Sequence, residues 1–412
     1  MIVPGYAVTG TTDVPATWPD LPKEMTFTTL SEIESCPRRW ALGAAHYPEI
    51  WEGRGYPQSV QPSTAAGSVV HLALETIMKG LVSAGCASVQ DPAVFNVMKS
   101  LGGYTTIINK CADQVLGRFA DNPRAQGLLE SVSRFLRSQA PDLRTRTQNM
   151  FSRIRLLPEA VPRAKSKESR ARNLGPLTMG VFPEVGLRAN KIHWRGRADL
   201  LVLSPERCEI TDFKTGVQHE NHKLQLQIYA LLWSRDTELN PTRRLADRLV
   251  LAYENGEVEV AAPSYEEIDS IEDIIVARDE GARKAASQSP PEARPGIDHC
   301  PCCGVRQLCS EYWTAKTQRM INEPHVDARF GDIELTVTGR HGPSSWDARV
   351  QLSSNIQDGK SAVLRTKEGV DFQVGARLRV LGAAIVLDAE DRQQPAVITL
   401  GAASEVYVVT KS

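Results

Sequence analysis

Trp194-Arg195-Gly196-Arg197-Ala198-Asp199-Leu200-Leu201-Val202-Leu203, a break at Ser204-Pro205-Glu206-Arg207, then Glu209-Ile210-Thr211-Asp212-Phe213-Lys214: this stretch decides how the chain is read. Two apolar, β-prone runs flank a Ser-Pro turn, which predicts a hairpin. Each run carries one carboxylate where a core residue is expected. Asp212 and Lys214 are two apart, so on a strand they share a face. A bare acid inside a sheet is costly unless it is paired or binds a metal. Two acids and a lysine converging there suit a divalent-metal site for phosphodiester cleavage. Hard cations such as Mg²⁺ or Mn²⁺ take carboxylate oxygens, polarise a phosphate and acidify water. A lysine can orient that water or balance charge in the transition state. The triplet alone fits a surface strand with a Lys–Asp pair equally well, so the rest of the chain must discriminate.

Upstream, Gly67-Ser68-Val69-Val70-His71-Leu72-Ala73-Leu74-Glu75 has helical spacing, with apolar residues at Val70, Leu74, Ile77 and Met78. His71 and Glu75 are four apart and lie on one face. A core histidine satisfied by that glutamate is the plain alternative to a ligand. Downstream, a second helix is predicted from about His222 to Trp233. Gln225 and Tyr229 share a face on it, which by itself also describes ordinary helix surface.

In this order the elements resemble the RecB-like branch of the PD-(D/E)XK nucleases, which includes the Cas4-like and AddB nuclease domains. The matching pattern is Gly67, His71 and Glu75; Gly196 and Asp199; Asp212 and Lys214; Gln225 and Tyr229. The resemblance implies a restriction-endonuclease-like α/β fold, a mixed sheet flanked by helices. It implies that His71, Asp199, Asp212 and the carbonyl of Phe213 hold Mg²⁺ or Mn²⁺, and that Lys214 is catalytic. Gln225 and Tyr229 would position DNA or the active-site loop. Glu184 stands where such families place a supporting acid.

Eight cysteines give a separate line of reasoning. Met1 to Tyr6 shows neither a basic n-region nor a long apolar run, so a cytoplasmic chain without disulfides is expected. Clustered cysteines then point to metal. Cys300, Cys303 and Cys309 form a C-x2-C-x5-C cluster, and Cys36 lies far upstream in Ser35-Cys36-Pro37-Arg38. Four thiolates suit zinc or a [4Fe–4S] cluster, and spacing does not choose. The resemblance implies the iron–sulfur cluster, since the same branch pairs one early cysteine with a late triplet. Cys302 could replace Cys300 in the set. Cys86, Cys111 and Cys208 read as buried small hydrophobes. Clipping the N-terminal segment to the end of the nuclease region would close a long loop.

The 412 residues suffice for two or three domains, and the net charge of −1 gives no global argument for nucleic acid. Charge is uneven, however. Arg134 to Arg172 holds eleven Arg and Lys against three acids. Its first part, Ser131 to Arg155, predicts an amphipathic helix. Its second, Arg163 to Arg172, reads as a polar loop. A solvated face and a phosphate-tracking rim are both open.

Residues up to about Lys23 read as irregular, and Thr28 or Thr29 as the cap of a helix from Leu30. A helical region is expected from about Ala65 to Ser152, a mixed sheet from Thr178 to Val260, and a helix from Tyr265 to Ser287. The linker Ser289 to Gly296 leads into the cysteines, and a domain boundary is expected at Asn322-Glu323-Pro324. Beyond it, six short strand-like runs predict a small all-β barrel, OB-like in its middle strand Val374 to Gly382. The two domains expected are therefore 1–322 and 323–412. Arg365, Lys367, Arg377 and Arg379 are candidate phosphate contacts there, and Trp346, Phe372 and Tyr407 are either core or stacking platforms. Asp358-Gly359-Lys360-Ser361 is not a Walker A loop, because Ser354 replaces its first glycine and no helix follows.

The sequence thus points to a metal-dependent DNA nuclease, an exonuclease on single-stranded DNA or DNA ends, with the barrel adding affinity for DNA or a protein partner and no membrane. Two alternatives stand beside it. One is a subunit active only in a larger helicase–nuclease or CRISPR-adaptation complex. The other is a non-catalytic DNA-binding scaffold.

Overall fold

A computed structural model describes residues 8–51, 55–156, 175–321, 329–366, 370–388, 391 and 394–410. The expected boundary at Asn322 to Pro324, the basic loop Arg163 to Arg172, and Lys367 lie outside the described residues, as does Met1 to Tyr6.

The predicted hairpin forms. Strands Trp194–Leu203 and Cys208–Lys214 pair antiparallel, with Leu200 opposite Thr211 and Leu203 opposite Cys208. Gly180–Ala189 flanks the first strand. Arg248–Tyr253 lies parallel to the second, and Gly256–Val260 closes the five-stranded mixed sheet. The parallel pair needs a crossover, which the helix Glu220–Arg235 supplies.

Both faces of this sheet are covered, which explains the near-continuous apolar runs. Leu201, Leu203, Ile210, Leu249 and Leu251 pack in a core with the helices Glu220–Arg235, Tyr265–Ala286 and Phe27–Ser35. Leu200, Val202, Phe213 and Ala252 face the other layer, built on the helix Pro62–Ala84 with Gly103–Gly117 and Ala140–Phe151. Each fully buried Leu, Ile or Val in these layers stabilises by about 1.5–3 kcal/mol relative to exposure. Pro62–Ala84 is long and apolar enough to cross a membrane by length and composition. In this fold its Val69, Val70, Leu74, Ile77 and Leu81 are buried as the centre of the helical layer.

Two expectations need correction. The first helix starts at Phe27, capped by Thr26, whose Oγ1 accepts from the Thr29 amide at 3.1 Å. Thr26 is the residue with extended backbone, which a cap requires, so neither Thr28 nor Thr29 takes that place. The helix expected within Ser131 to Arg155 forms, as Leu129–Ser138 followed by Ala140–Phe151. The N-terminal segment is not all irregular. Val8–Thr11 forms a strand parallel to Glu405–Val408.

All six C-terminal runs form strands. Phe330–Gly342, Ser345–Ser353, Ser361–Arg365, Ala396–Thr399 and Arg377–Val386 close in that order into a five-stranded barrel, because Arg377–Val386 pairs back with Phe330–Gly342. Ser361–Arg365 and Ala396–Thr399 are parallel, and the other pairs antiparallel. Trp346, Phe372 and Tyr407 are buried and belong to cores, not to stacking platforms.

The barrel is joined to the rest by buried charge. Arg124 donates to both oxygens of Glu405, at 3.0 and 2.7 Å, and to the carbonyls of Pro57 and Gly304. Asp332 accepts from Arg306 at 2.5 Å and from the Tyr312 hydroxyl at 2.8 Å. Arg379 bonds Glu334 and the Gln307 carbonyl and sits over the Trp313 ring. Arg377 is also taken by Glu334. Arg379 therefore docks the barrel, whereas Arg377 pairs with Glu334 inside the barrel and stays exposed. Of the candidates described, Arg365 and Arg377 are exposed.

Candidate metal-dependent active site

The sheet register brings three acids into one row. Pro183 lies opposite Leu200 and Val185 opposite Ala198, which places Glu184 opposite Asp199. Leu200 opposite Thr211 likewise places Asp199 opposite Asp212. Like charges directly across strands are destabilising. Glu184 adds local strain, since its φ of 56° is left-handed, which costs an L residue about 1–2 kcal/mol. A fold that holds such a row without a structural return is the expected sign of a cation site.

The surroundings fit that reading. His71 Nδ1 lies 3.9 Å from Asp199 Oδ2. Glu75 does not satisfy the histidine; it pairs with Lys79 at 2.5 Å. Asp199 Oδ2 accepts from the Phe213 amide at 2.6 Å. Asp212 Oδ2 has the Lys214 ammonium 2.6 Å away, yet it is buried with no hydrogen bond of good direction. Lys214 Nζ instead donates to Gln225 Oε1 at 2.8 Å, and Gln225 Nε2 donates to Tyr229 Oη at 2.7 Å. His71, Asp199, Asp212, Phe213, Lys214, Gln225 and Tyr229 line one open cleft of about 510 Å³. A larger cleft of about 610 Å³, lined by Arg153, Arg155 and Arg207 among others, contains none of this chemistry.

Electrostatics follow from burial. Desolvation, with Asp212 and Glu184 nearby, holds the Asp199 carboxyl well above the usual carboxylate range. Desolvation raises Asp212 too, against the pull of Lys214. Desolvation lowers the His71 imidazole, leaving it neutral and able to ligate. Burial raises Glu184, with Glu75 adding to it.

Two motif glycines have a steric purpose. A Cβ on Gly196 would meet Leu232 Cδ1 and Tyr229 Cε1, each at 2.8 Å. Its absence lets the helix bearing Gln225 and Tyr229 close on the strand bearing Asp199. A Cβ on Gly67 would meet Thr215 Oγ1 at 2.8 Å, so glycine there brings the His71 helix against the loop after Lys214.

The family model of the PD-(D/E)XK nuclease superfamily matches residues 24–310. The chain belongs to the PD-(D/E)XK nuclease superfamily. Members of that superfamily are nucleases that typically use divalent metals, and the matched region holds the whole acid row and the four clustered cysteines. No curated protein matches the chain. A solved structure titled "Crystal structure of SSO0001" is similar at 22% identity over 32% of this chain and 62% of its own, with a TM-score of 0.22. The chain thus spans under two thirds of that structure, and the likeness is too slight to carry weight.

Cys36, Cys300, Cys303 and Cys309 line one small cavity, with Arg39, Arg294 and His299 around it. The Arg294 amide donates to Cys36 Sγ at 3.5 Å and the Gly296 amide to Cys300 Sγ at 3.3 Å. Burial pushes the Cys303 thiol up to about 11 and raises Cys300 and Cys309. Cys302 is exposed and turned to the carbonyls of Asp298 and His299. Cys86, Cys111 and Cys208 are buried singly, as expected. Among the described residues, no three His, Cys, Asp or Glu side chains are already drawn together as around a metal ion.

Sequence reasoning missed His219 and His222, which also line the acid cleft. Their three-residue spacing at the start of the Gln225 helix was the available signal. Most described arginines of the basic stretch are engaged. Arg134 pairs with Glu130, Arg137 with Asp113, Arg146 with Asp142, Arg155 with Glu257, and Arg153 bonds the Tyr253 and Glu254 carbonyls, while Arg144 is exposed.

Proposed function

We propose that this protein is a divalent-metal-dependent deoxyribonuclease of the RecB-like, Cas4-like branch, acting as an exonuclease on single-stranded DNA or DNA ends. The pair Asp199 and Asp212, open to a cleft beside Lys214 and His71, with Glu184 opposite Asp199, carries the reading. His71, Asp199, Asp212 and the Phe213 carbonyl would hold Mg²⁺ or Mn²⁺. That ion, when bound, supplies positive charge to the scissile phosphate and to the attacking water. Lys214, aimed by Gln225 and through it by Tyr229, holds its ammonium where it orients water and offsets charge developing on the phosphate. Glu184 supports the pair from the neighbouring strand. The reading is tested with purified protein and Mg²⁺ or Mn²⁺ on end-labelled single- and double-stranded DNA, with open and closed circles. Mononucleotide release from linear single strands, and none from closed circles, is expected. Equal cutting of closed circles would replace the exonuclease with an endonuclease.

The four cysteines would hold a [4Fe–4S] cluster, supported by their common cavity and the two amide-to-sulfur bonds. Anaerobically purified protein is expected to be brown, with about four irons per chain. Cys36→Ala should lose iron and thermal stability together, while Cys302→Ala should change neither. Zinc in place of iron would overturn the cluster and keep the clip. The barrel is OB-like on this reading, supported by its five-strand closure. Its contribution to DNA affinity would come from the exposed Arg365 and Arg377 and the loops, since Arg379 is taken up in the docking contact.

A further inference from the structure

We propose that His222 is a further substrate-contacting residue of the cleft, giving a neutral Nε2–H hydrogen bond to a DNA phosphate oxygen, and that Tyr253 is the positioning residue that fixes its tautomer. This rests on the nuclease reading above.

His222 precedes Gln225 by one helical turn and lines the same cleft as Asp199, Asp212 and Lys214. Its Nδ1 is 2.8 Å from the Tyr253 hydroxyl. Tyr253 ends the central strand Arg248–Tyr253, in register with Lys214, and is buried, so the hydroxyl is a rigid partner. A phenol has one hydrogen of its own. On this proposal the Tyr253 hydroxyl gives that hydrogen to Nδ1. An imidazole accepting at Nδ1 carries its hydrogen at Nε2. The ring therefore has one donor left, and it belongs to a residue that lines the cleft. Burial, Lys214 and His219 all disfavour a second proton on this ring.

The experiment uses the full chain. His222→Ala should lower kcat/KM on a single-stranded oligonucleotide about tenfold, the effect of one lost hydrogen bond. His222→Gln, which keeps a side-chain N–H donor, should recover most of that loss. Nitrogen-15 NMR should show wild-type His222 as the Nε2–H tautomer, and Tyr253→Phe should convert it to a mixture while lowering kcat/KM about threefold. An Nδ1–H tautomer in the wild type would overturn the proposal, as would an unchanged kcat/KM in His222→Ala. The tautomer is read without turnover. A wild-type protein that cut no DNA with Mg²⁺ or Mn²⁺ would instead defeat the nuclease reading.

Discussion

Asp212→Asn is expected to lower kcat by about 10³-fold or more while leaving DNA binding largely intact. Removing a single charge-stabilising donor from an active site already costs about 10²–10³, and Asp212 belongs to the pair that would hold the ion. The same variant should be more heat-stable than the wild type when metal is removed. The sign follows from the raised carboxyls of Asp199 and Asp212. An acid whose pKa is higher folded than unfolded stabilises the fold below its unfolded pKa. That contribution is lost as pH rises through the folded value. At neutral pH the metal-free wild type therefore holds the pair at a disadvantage that Asp212→Asn relieves. Thermal melts in chelator, with single-turnover cleavage assays alongside, check both halves. Near-wild-type cleavage by Asp212→Asn would show that the site is elsewhere.

Asp332→Ala should destabilise the whole protein by about 3–5 kcal/mol, the usual cost of leaving a buried charge without its partner. Asp332 accepts from Arg306, from Tyr312 and from the Gly382 amide. Arg306 and Tyr312 flank Cys309, so iron content should fall with stability. Chemical denaturation and iron analysis on the same preparation are the measurements. A loss below about 1 kcal/mol, the range of exposed ion pairs, would mean that the barrel and the cysteine segment are only loosely joined. The same contacts tie the described part of the expected domain 323–412 to the rest of the chain. Ending the chain near Glu323 would strip Arg124, Arg306 and Tyr312 of their barrel partners.

The acid pair and Lys214 were legible because chemistry-bearing residues interrupt apolar strands, and such interruptions are costly without a purpose. The shared helix face of Gln225 and Tyr229 was legible from spacing but their place in the site only from resemblance, and the barrel strands were legible from short strand-like runs between turns. Glu184 entered only through resemblance, because its place in the row is set by strand register, which one sequence does not print. The strand Val8–Thr11 was missed because its partner, Glu405–Val408, lies at the far end of the chain. Arg379 stood as a candidate for phosphate because a strand sequence does not show which neighbour, here Glu334, stands across from it. His222 was passed over because its partner Tyr253 sits on another strand.

The central claim is that the buried row binds a divalent cation, and calorimetric titration of Mn²⁺ tests it most directly. Wild-type protein and Asp212→Asn would be titrated in mildly acidic solution, in two buffers of different ionisation heat. The wild type should bind Mn²⁺ and release protons, since the metal must displace those held by the raised carboxyls of Asp199 and Asp212. Asp212→Asn should bind far more weakly and release fewer. Equal Mn²⁺ affinity in the two proteins, with no buffer-dependent heat, would contradict the account.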